Sequence, residues 1–204
     1  RTAPQHQASI EPHAAVAAPR GDGGVAIWTS TQAPFIVRQG VAAYLGLPMS
    51  QVRVVAMETG GAFGGKVSVF IEPMVAALAL KTGQPVRMVY SRQEELEDAR
   101  PRSATVIRVR TAAQADGTLL AREVDFLADS GAYADWTPAV VNSSLRACRG
   151  PYRVPNLRAK GAAVYTHKFN TGPFRAPGYP QLTFALESHM DELAAKLGMD
   201  PMEL

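Results

Sequence analysis

Apolar residues recur with two periods along this chain, and each period predicts a different kind of element. Runs of β-branched and aromatic side chains predict short strands at residues 25–30, 52–57 and 86–90. Apolar side chains three or four positions apart predict helices at residues 34–45, 70–81 and 181–197. Strands and helices therefore alternate through the first half of the chain, and the clearest helix lies near its end.

Glycine and proline residues mark where these helices end. Gly46 and Pro48 close the first helix, Gly83 closes the second and Gly198 closes the third. The apolar positions also predict a buried face for each helix: Ile36, Val37, Val41, Tyr44 and Leu45 in the first; Met74, Val75, Leu78 and Ala79 in the second; Leu182, Ala185, Leu186, Met190, Leu193 and Leu197 in the third.

A long hairpin is predicted in the middle of the chain. Asp116 and Gly117 form a dipeptide typical of tight hairpin turns, and residues 104–112 and 118–130 supply the two strands. Apolar and basic residues alternate along the first of these strands, which indicates a sheet with one solvated face. A further helix is predicted at residues 138–148 and a further strand at 157–166.

The remaining segments carry weaker patterns. Residues 1–23 are rich in Ala, Pro and Gly and are predicted to be a loop, and the charge run at residues 94–98 is predicted to be a solvated helical turn. Together these elements indicate an α+β fold with mixed sheets and packed helices. We expect residues 1–204 to form part of one domain of a longer chain, with two subdomains of about 1–100 and 101–204 as a finer division.

Composition and charge exclude several classes of protein. The 204 residues are 47% hydrophobic and carry a net charge of +3 without any Lys/Arg-rich run, which argues against a nucleic-acid partner. The single cysteine, Cys148, excludes an internal disulfide and a cysteine-ligated metal centre, and we expect a buried thiol. No apolar run is long enough for a membrane span. Asp200 and Pro201 are typical of a helix start just before the last residue, so we expect a fragment of a longer polypeptide.

The histidines do not have the spacing of metal ligands. His6, His13, His167 and His189 form no HxxxH pair, and their neighbours supply no cluster of Cys or Asp residues. The sequence therefore predicts no metal ion held by protein side chains.

The segment with the most unusual chemistry is residues 60–66, hereafter the glycine loop, which reads Gly-Gly-Ala-Phe-Gly-Gly-Lys. Four glycines permit positive φ angles and expose backbone N–H groups, which can form a nest for an anion or an oxo group. The spacing from Gly60 to Lys66 also resembles a P-loop, but Val67 stands where a P-loop has the Ser or Thr that binds Mg²⁺. If the loop is a nest of N–H groups and not a P-loop, Lys66 is a structural or solvent-facing charge.

Five segments in fixed order resemble the large molybdenum-binding subunit of the xanthine dehydrogenase, aldehyde oxidase and carbon monoxide dehydrogenase family. They span nearly the whole chain: residues 28–32 (WTSTQ), 60–66 (GGAFGGK), 81–87 (KTGQPVR), 152–156 (YRVPN) and 174–181 (FRAPGYPQ). Each segment alone is a weak signal, whereas the ordered set is specific.

The resemblance implies a molybdenum hydroxylase and assigns roles to individual residues. Gln32 resembles the residue whose amide approaches the metal centre, and the backbone at Gly61, Phe63 and Arg175 resembles cofactor contacts. Val67 falls where purine-oxidising members have a glutamate, so its apolar side chain is similar to the aldehyde-oxidising branch. The family's catalytic glutamate is expected beyond Leu204, so the resemblance implies no catalytic residue in this chain and no activity for it alone.

The same resemblance implies the cofactors and partners. The cofactor is molybdenum bound to molybdopterin or to its cytosine dinucleotide form, with Fe–S centres and FAD on partner subunits or domains. The partners are the remainder of the molybdenum subunit, those redox subunits and a small-molecule substrate. Apart from the resemblance, we expect a cytoplasmic location in preference to a periplasmic one. Two alternatives stay open: a P-loop-like nucleotide-binding protein that uses residues 60–66, and a non-catalytic structural or assembly module.

Overall fold

Residues 5–204 are described by a computed structural model, in which the chain divides into two units. The N-terminal unit comprises residues 6–99, and the C-terminal unit comprises Gln5 and residues 100–204. Each unit has its own β-sheet, helices and buried apolar cluster. This combination of mixed sheets and packed helices confirms the α+β prediction.

The N-terminal unit is built on a four-stranded sheet with the strand order β3, β2, β1, β4. The strands are β1 (Ala14–Pro19), β2 (Val25–Thr29), β3 (Val52–Ala56) and β4 (Val86–Val89). Strand β1 runs antiparallel to β2 and β4, whereas β2 and β3 run parallel. Because a parallel pair needs a crossover connection, the chain passes through helix α1 (Pro34–Leu45) between β2 and β3.

Strand β1 shows that the loop prediction for residues 1–23 was wrong at Ala14–Pro19. Residues 5–13 and 20–23 form no helix or strand, as predicted, and residues 1–4 lie outside the described residues. Alanine and proline have a low intrinsic preference for strands, so the local sequence carries no strand signal. Ala15 and Ala17 are nevertheless buried in the core cluster of this unit. Their small side chains suit an interior strand with a helix packed on it, so tertiary packing overrides local propensity here.

Helices α1, α2 (Glu72–Thr82) and α3 (Arg92–Asp98) complete the N-terminal unit. The first two end at glycines in the left-handed conformation, Gly46 with φ 65° and Gly83 with φ 67°, as predicted.

The predicted buried faces of α1 and α2 are only partly correct. Each helix carries apolar side chains over more of its circumference than its neighbours in the unit cover, so some of these side chains remain in solvent. The buried apolar positions are Val37, Val41 and Ala42 in α1 and Val75, Ala76 and Ala79 in α2. In contrast, the side chains of Ile36, Tyr44, Met74 and Leu78 are exposed.

Helix α3 contains a buried carboxylate, although its sequence is a run of charged residues. Glu95 is 3% exposed, and its Oε2 accepts hydrogen bonds from the backbone N–H of His13 at 2.8 Å and from the His13 ring at 2.7 Å. The prediction that residues 94–98 form a solvated turn is therefore wrong at Glu95, which ties α3 to the segment before β1.

The C-terminal unit contains the predicted hairpin, formed by β5 (Thr105–Ala113) and β6 (Leu119–Gly131). Strand β7 (Asn156–Tyr165) runs parallel to β6 after a crossover through helix α4 (Thr137–Ala147).

The two faces of this second sheet differ in chemistry. On one face, Glu123 of β6 lies 3.2 Å from the Arg110 guanidinium and 3.4 Å from the Arg158 guanidinium, which gives the solvated face that the alternation predicted. The opposite face packs into an apolar cluster that includes Phe126 and Leu182. Cys148 belongs to the same cluster and is buried, as predicted, and burial raises the pKa of its thiol.

Helix α5 (Tyr179–Leu197) is the clearest sequence prediction that the structure confirms, and it ends at Gly198 as expected. Its buried face includes the predicted Leu182, Leu186 and Met190. In residues 5–204, none of the helices has the length and apolar character that crossing a membrane requires. Residues 201–203 form a turn with the bonds of the predicted helix start: the Met202 N–H donates to the Asp200 side chain at 2.7 Å, and the Leu204 N–H donates to the Asp200 carbonyl at 3.2 Å.

We expect Glu95→Gln to reduce the free energy of unfolding by about 1–3 kcal/mol at pH 7, because hydrogen bonds to a buried charged group are lost or weakened. Burial alone would raise the pKa of Glu95, but the hydrogen bonds from His13 hold it below its ordinary value of 4.5. The stabilisation is therefore present in full above pH 4.5 and is lost as the pH falls through the lower folded-state pKa. Urea titrations at several pH values measure the free energy of unfolding of the unsubstituted chain and of the variant.

The matched control is Glu97→Gln on the same helix, where the exposed carboxylate accepts a hydrogen bond from the Gln93 side-chain amide at 2.9 Å. We expect a change within about 0.5 kcal/mol for this variant. Equal losses in the two variants, or a Glu95 effect that does not shrink at low pH, would contradict the account of the buried carboxylate.

Candidate functional site

The glycine loop connects β3 to α2 and has a backbone conformation that most residues avoid. Three of its residues have positive φ angles: Gly61 at 102°, Phe63 at 52° and Gly64 at 96°. A positive φ is uncommon for a residue with a side chain, and such positions concentrate at functional sites. Phe63 is also 46% exposed, so the loop presents an aromatic residue at its tip instead of burying it.

Thr31 and Gln32 hold the loop from the end of β2. The Gln32 backbone N–H donates to the Lys66 carbonyl at 3.0 Å, and the Thr31 hydroxyl donates to the same carbonyl at 3.1 Å. The Gln32 side chain accepts a hydrogen bond from the Gly64 N–H at 3.0 Å. Gln32 and the glycine loop, which the sequence placed 28 or more residues apart, therefore form one site.

The bond from Gly64 fixes the orientation of the Gln32 amide. Because an N–H group must donate to an oxygen, the bonded atom is Oε1, and the NH₂ group of the exposed side chain is directed away from Gly64. The NH₂ group is therefore available to donate to a bound molecule beside the loop.

Backbone N–H groups of the loop are also available. Within residues 5–204, four of the loop's N–H groups donate no hydrogen bond: those of Gly61 and Phe63, and those of the buried residues Ala62 and Lys66. The N–H groups of Gly60, Gly64 and Gly65 are each bonded inside the protein. Unbonded amides at a turn of glycines provide donors for an anionic or oxo-rich ligand.

Lys66 closes the loop but is not a phosphate ligand. Its ammonium is 1% exposed and lies 2.7 Å from a Glu11 carboxylate oxygen, so the expectation of a solvent-facing charge was wrong and that of a structural charge was correct. Helix α2 begins only at Glu72, whereas a P-loop lysine lies at the start of its helix. These two facts remove the basis for the P-loop alternative.

Val67 follows Lys66 in the chain, and its side chain is half-buried. The backbone of the preceding residue is fixed by Thr31 and Gln32, so the start of the Val67 side chain has a defined position in the N-terminal unit.

The segment at residues 174–181, the last of the five that carry the resemblance, lies in the C-terminal unit, where Ala176 has φ 55° and Gly178 has φ 85°. Its organising residue is Arg102, which the sequence analysis missed. The Arg102 guanidinium donates to the Gln181 side chain at 3.0 Å and to the Arg175 carbonyl at 3.2 Å. The same guanidinium stacks over the Phe174 ring, 4.6 Å from its centroid.

These contacts explain why Arg102 escaped the sequence analysis. The side chain acts on a loop 73 residues away in the chain, and the local sequence around it has no pattern that signals the contact. The Arg175 side chain itself is exposed, and the backbone carbonyl of Arg175 is the group that Arg102 holds.

Comparison with known proteins gives one consistent result. The family model described as the molybdopterin cofactor-binding domain matches residues 1–204. The chain is 41% identical to a probable xanthine dehydrogenase subunit of Bacillus subtilis (strain 168), over 96% of this chain and 26% of that protein. It is 40% identical to the nicotinate dehydrogenase large molybdopterin subunit of Eubacterium barkeri, over 96% of this chain and 46% of that protein.

A solved structure gives the same result at the level of the fold. The aldehyde oxidoreductase from Desulfovibrio gigas superposes with a TM-score of 0.91 at 37% identity, covering 98% of this chain and 22% of that one. The chain thus spans between about a fifth and a half of the length of these relatives.

The family match confirms the resemblance that the ordered segments carry, and the amide-lined loop beside Gln32 suits a cofactor of that kind. The chain belongs to the molybdopterin cofactor-binding domain family of the molybdenum hydroxylases.

Proposed function

We propose that the natural protein is a molybdenum hydroxylase that oxidises aldehydes or N-heterocycles with oxygen derived from water, and that this chain forms part of its cofactor site. The strongest support within the chain is the hydrogen bond from the Gly64 N–H to Gln32 Oε1 at 3.0 Å. This bond leaves the Gln32 NH₂ group to donate elsewhere, and the N–H groups of Gly61 and Phe63 in the same loop are unbonded, which is a set of donors suited to an oxo-rich cofactor.

The donor set fits molybdopterin in its chemistry. Gln32, Gly61 and Phe63 would hold the cofactor through N–H groups. The backbone at Arg175 is proposed separately as a cofactor contact. When bound, the molybdenum cofactor supplies the oxidation chemistry. The protein's own donors are neutral dipoles that are already oriented, so they would position the cofactor without reorganising.

No residue of this chain is assigned as the catalytic base. Among the acidic residues near the loop, Glu11 accepts hydrogen bonds from Gly60 and Lys66, and Glu72 accepts from the Thr29 hydroxyl at 2.9 Å and the Phe70 N–H at 2.9 Å. Both carboxylates are committed to these structural bonds. In the proposed enzyme the base is a glutamate outside residues 1–204, and the chain alone has no hydroxylase activity.

The proposed enzyme needs partners to remove electrons. Fe–S and flavin centres on other subunits or domains would carry the electrons away from the molybdenum site. The remainder of the molybdenum subunit would be a further partner of this chain. The Bacillus subtilis relative and the Eubacterium barkeri relative are each named as one subunit of an enzyme, which agrees with assembly from several subunits. The pterin is molybdopterin or its cytosine dinucleotide.

We expect Gln32→Ala to lower turnover by about tenfold to a hundredfold, the range typical of residues that orient and tune a bound metal centre. Gln32→Glu should cause a similar loss, because it keeps an oxygen for the Gly64 N–H but has no N–H to donate. Steady-state kinetics, with molybdenum and pterin content per chain, are measured on the natural protein from a molybdenum-replete host.

The matched control is Gln39→Ala, an exposed glutamine on α1, which should retain full turnover. A natural protein without molybdenum or pterin would contradict the proposed function. Unchanged turnover in both Gln32 variants would remove Gln32 from the site.

We expect Val67→Glu to lower kcat/KM for apolar aldehydes by at least about tenfold relative to purines. A carboxylate is costly to desolvate beside an apolar substrate but can accept hydrogen bonds from a purine. The two substrate classes are compared in parallel, with Val106→Glu as the control on the solvated strand β5, where the valine is 51% exposed. An unchanged ratio for Val67→Glu would remove this residue from the substrate pocket.

A further inference from the structure

One carboxylate oxygen bonds both ends of the glycine loop. Glu11 Oε2 accepts from the Gly60 N–H at 2.9 Å and from the Lys66 ammonium at 2.7 Å. The Glu11 backbone N–H in turn donates to the Gly60 carbonyl at 3.1 Å. Glu11 therefore joins the first and last residues of the loop, although it lies 55 residues from Lys66 in the chain.

The charge on Lys66 makes this junction energetically important. The Lys66 side chain is 1% exposed, whereas the Glu11 side chain is 33% exposed. A buried ammonium is stable only with a partner, and removing one member of a buried pair is far more costly than replacing both members by uncharged groups. Lys66 therefore depends on Glu11 more than Glu11 depends on Lys66.

The segment around Glu11 also lies against the loop backbone. A Cβ atom added at Gly60 would lie 2.7 Å from Glu11 Cβ, and one added at Gly61 would lie 3.4 Å from Ser9 Cβ. One added at Gly65 would lie 3.3 Å from Gln7 Cγ. Residues 7–11 thus pack closely enough under the loop to require glycine at Gly60.

We propose that Glu11 and Lys66 are positioning residues that hold the glycine loop in its cofactor-binding shape. This inference rests on the proposed function, because it assigns the pair to the same molybdopterin site. The pair fixes the two ends of the loop, and the bond from Gly64 to Gln32 fixes its middle. The unbonded N–H groups of Gly61 and Phe63 lie between these fixed points, so their direction depends on the pair.

Glu11 and Lys66 have a different role from the residues that are proposed to touch the cofactor. Glu11 and Lys66 act through the loop backbone, since their charged groups are bonded to each other and to Gly60. Their loss should therefore loosen the loop and weaken cofactor retention, while the rest of the N-terminal unit keeps its structure.

The test variant is Glu11→Gln, and the chain offers a closely matched control in Asp22→Asn. Asp22 accepts from the Gly24 N–H at 3.1 Å and from the Arg20 guanidinium at 2.6 Å, which repeats the combination of a glycine amide and a cation. This second pair lies in the exposed turn between β1 and β2. Both substitutions replace a carboxylate by an amide of the same size.

Hydrogen exchange of the natural protein, followed by mass spectrometry, reports on the loop directly. We expect Glu11→Gln to accelerate exchange in residues 60–66 by about tenfold or more, because charge-assisted bonds at the loop ends are lost. Exchange in α2 should stay unchanged, and Asp22→Asn should leave the loop at the natural rate. Glu11→Gln should also retain less molybdenum and pterin and have a lower kcat with little change in KM.

Loop exchange and cofactor retention equal to those of Asp22→Asn would overturn the proposal. If Glu11→Gln does not fold, the double variant Glu11→Gln with Lys66→Met removes the buried charge. We expect the double variant to fold with a fast-exchanging loop. Failure of both variants to fold would also overturn the proposal, because the pair would then serve the whole unit.

The proposed function and the role of the Glu11–Lys66 pair can be contradicted separately. The exchange measurement needs no cofactor, so a natural protein that lacks molybdenum and pterin would contradict the proposed function and leave the exchange result standing. A natural protein that contains both, with a loop indifferent to Glu11→Gln, would contradict only the role of the pair.

Discussion

The buried ammonium of Lys66 is the constraint on which the glycine loop depends. A cation that is 1% exposed requires a carboxylate, and Glu11 provides it from a segment that precedes the first strand. The same carboxylate oxygen bonds Gly60, so neutralising the charge also closes the loop. The loop can then hold Phe63 at a positive φ angle and leave the N–H groups of Gly61 and Phe63 unbonded, which an unsupported chain of glycines would not maintain.

Both candidate cofactor loops follow one principle of construction. In each, a charged side chain from a distant part of the chain bonds the loop backbone: Glu11 in the N-terminal unit and Arg102 in the C-terminal unit. Gln32 then adds an amide whose orientation Gly64 fixes. The groups left to face a ligand are neutral N–H donors in positions set before binding, which is an efficient way to stabilise charge on a bound group.

Much of the fold could be predicted from the sequence, because the strands with β-branched residues and the helices with glycine caps carry local signals. Strand β1 could not, since its alanines are selected by the packing of an interior strand and not by local propensity. The burial of Glu95 was hidden in a charge run for a similar reason, because its partner His13 lies 82 residues away. The site residues Gln32, Gly61, Phe63, Val67 and Arg175 came from an ordered resemblance, and their roles remain proposals. The residues that hold the loops, Glu11 and Arg102, carry no local signal at all.

Crystallographic anomalous scattering at the molybdenum absorption edge, measured on the natural protein, tests the central claim most directly. The account predicts a single molybdenum peak beside the Gln32 amide and the glycine loop, with pterin density near the loop tip at Phe63. A crystal of the natural protein with no molybdenum peak, or with its peak remote from both Gln32 and the glycine loop, would contradict it.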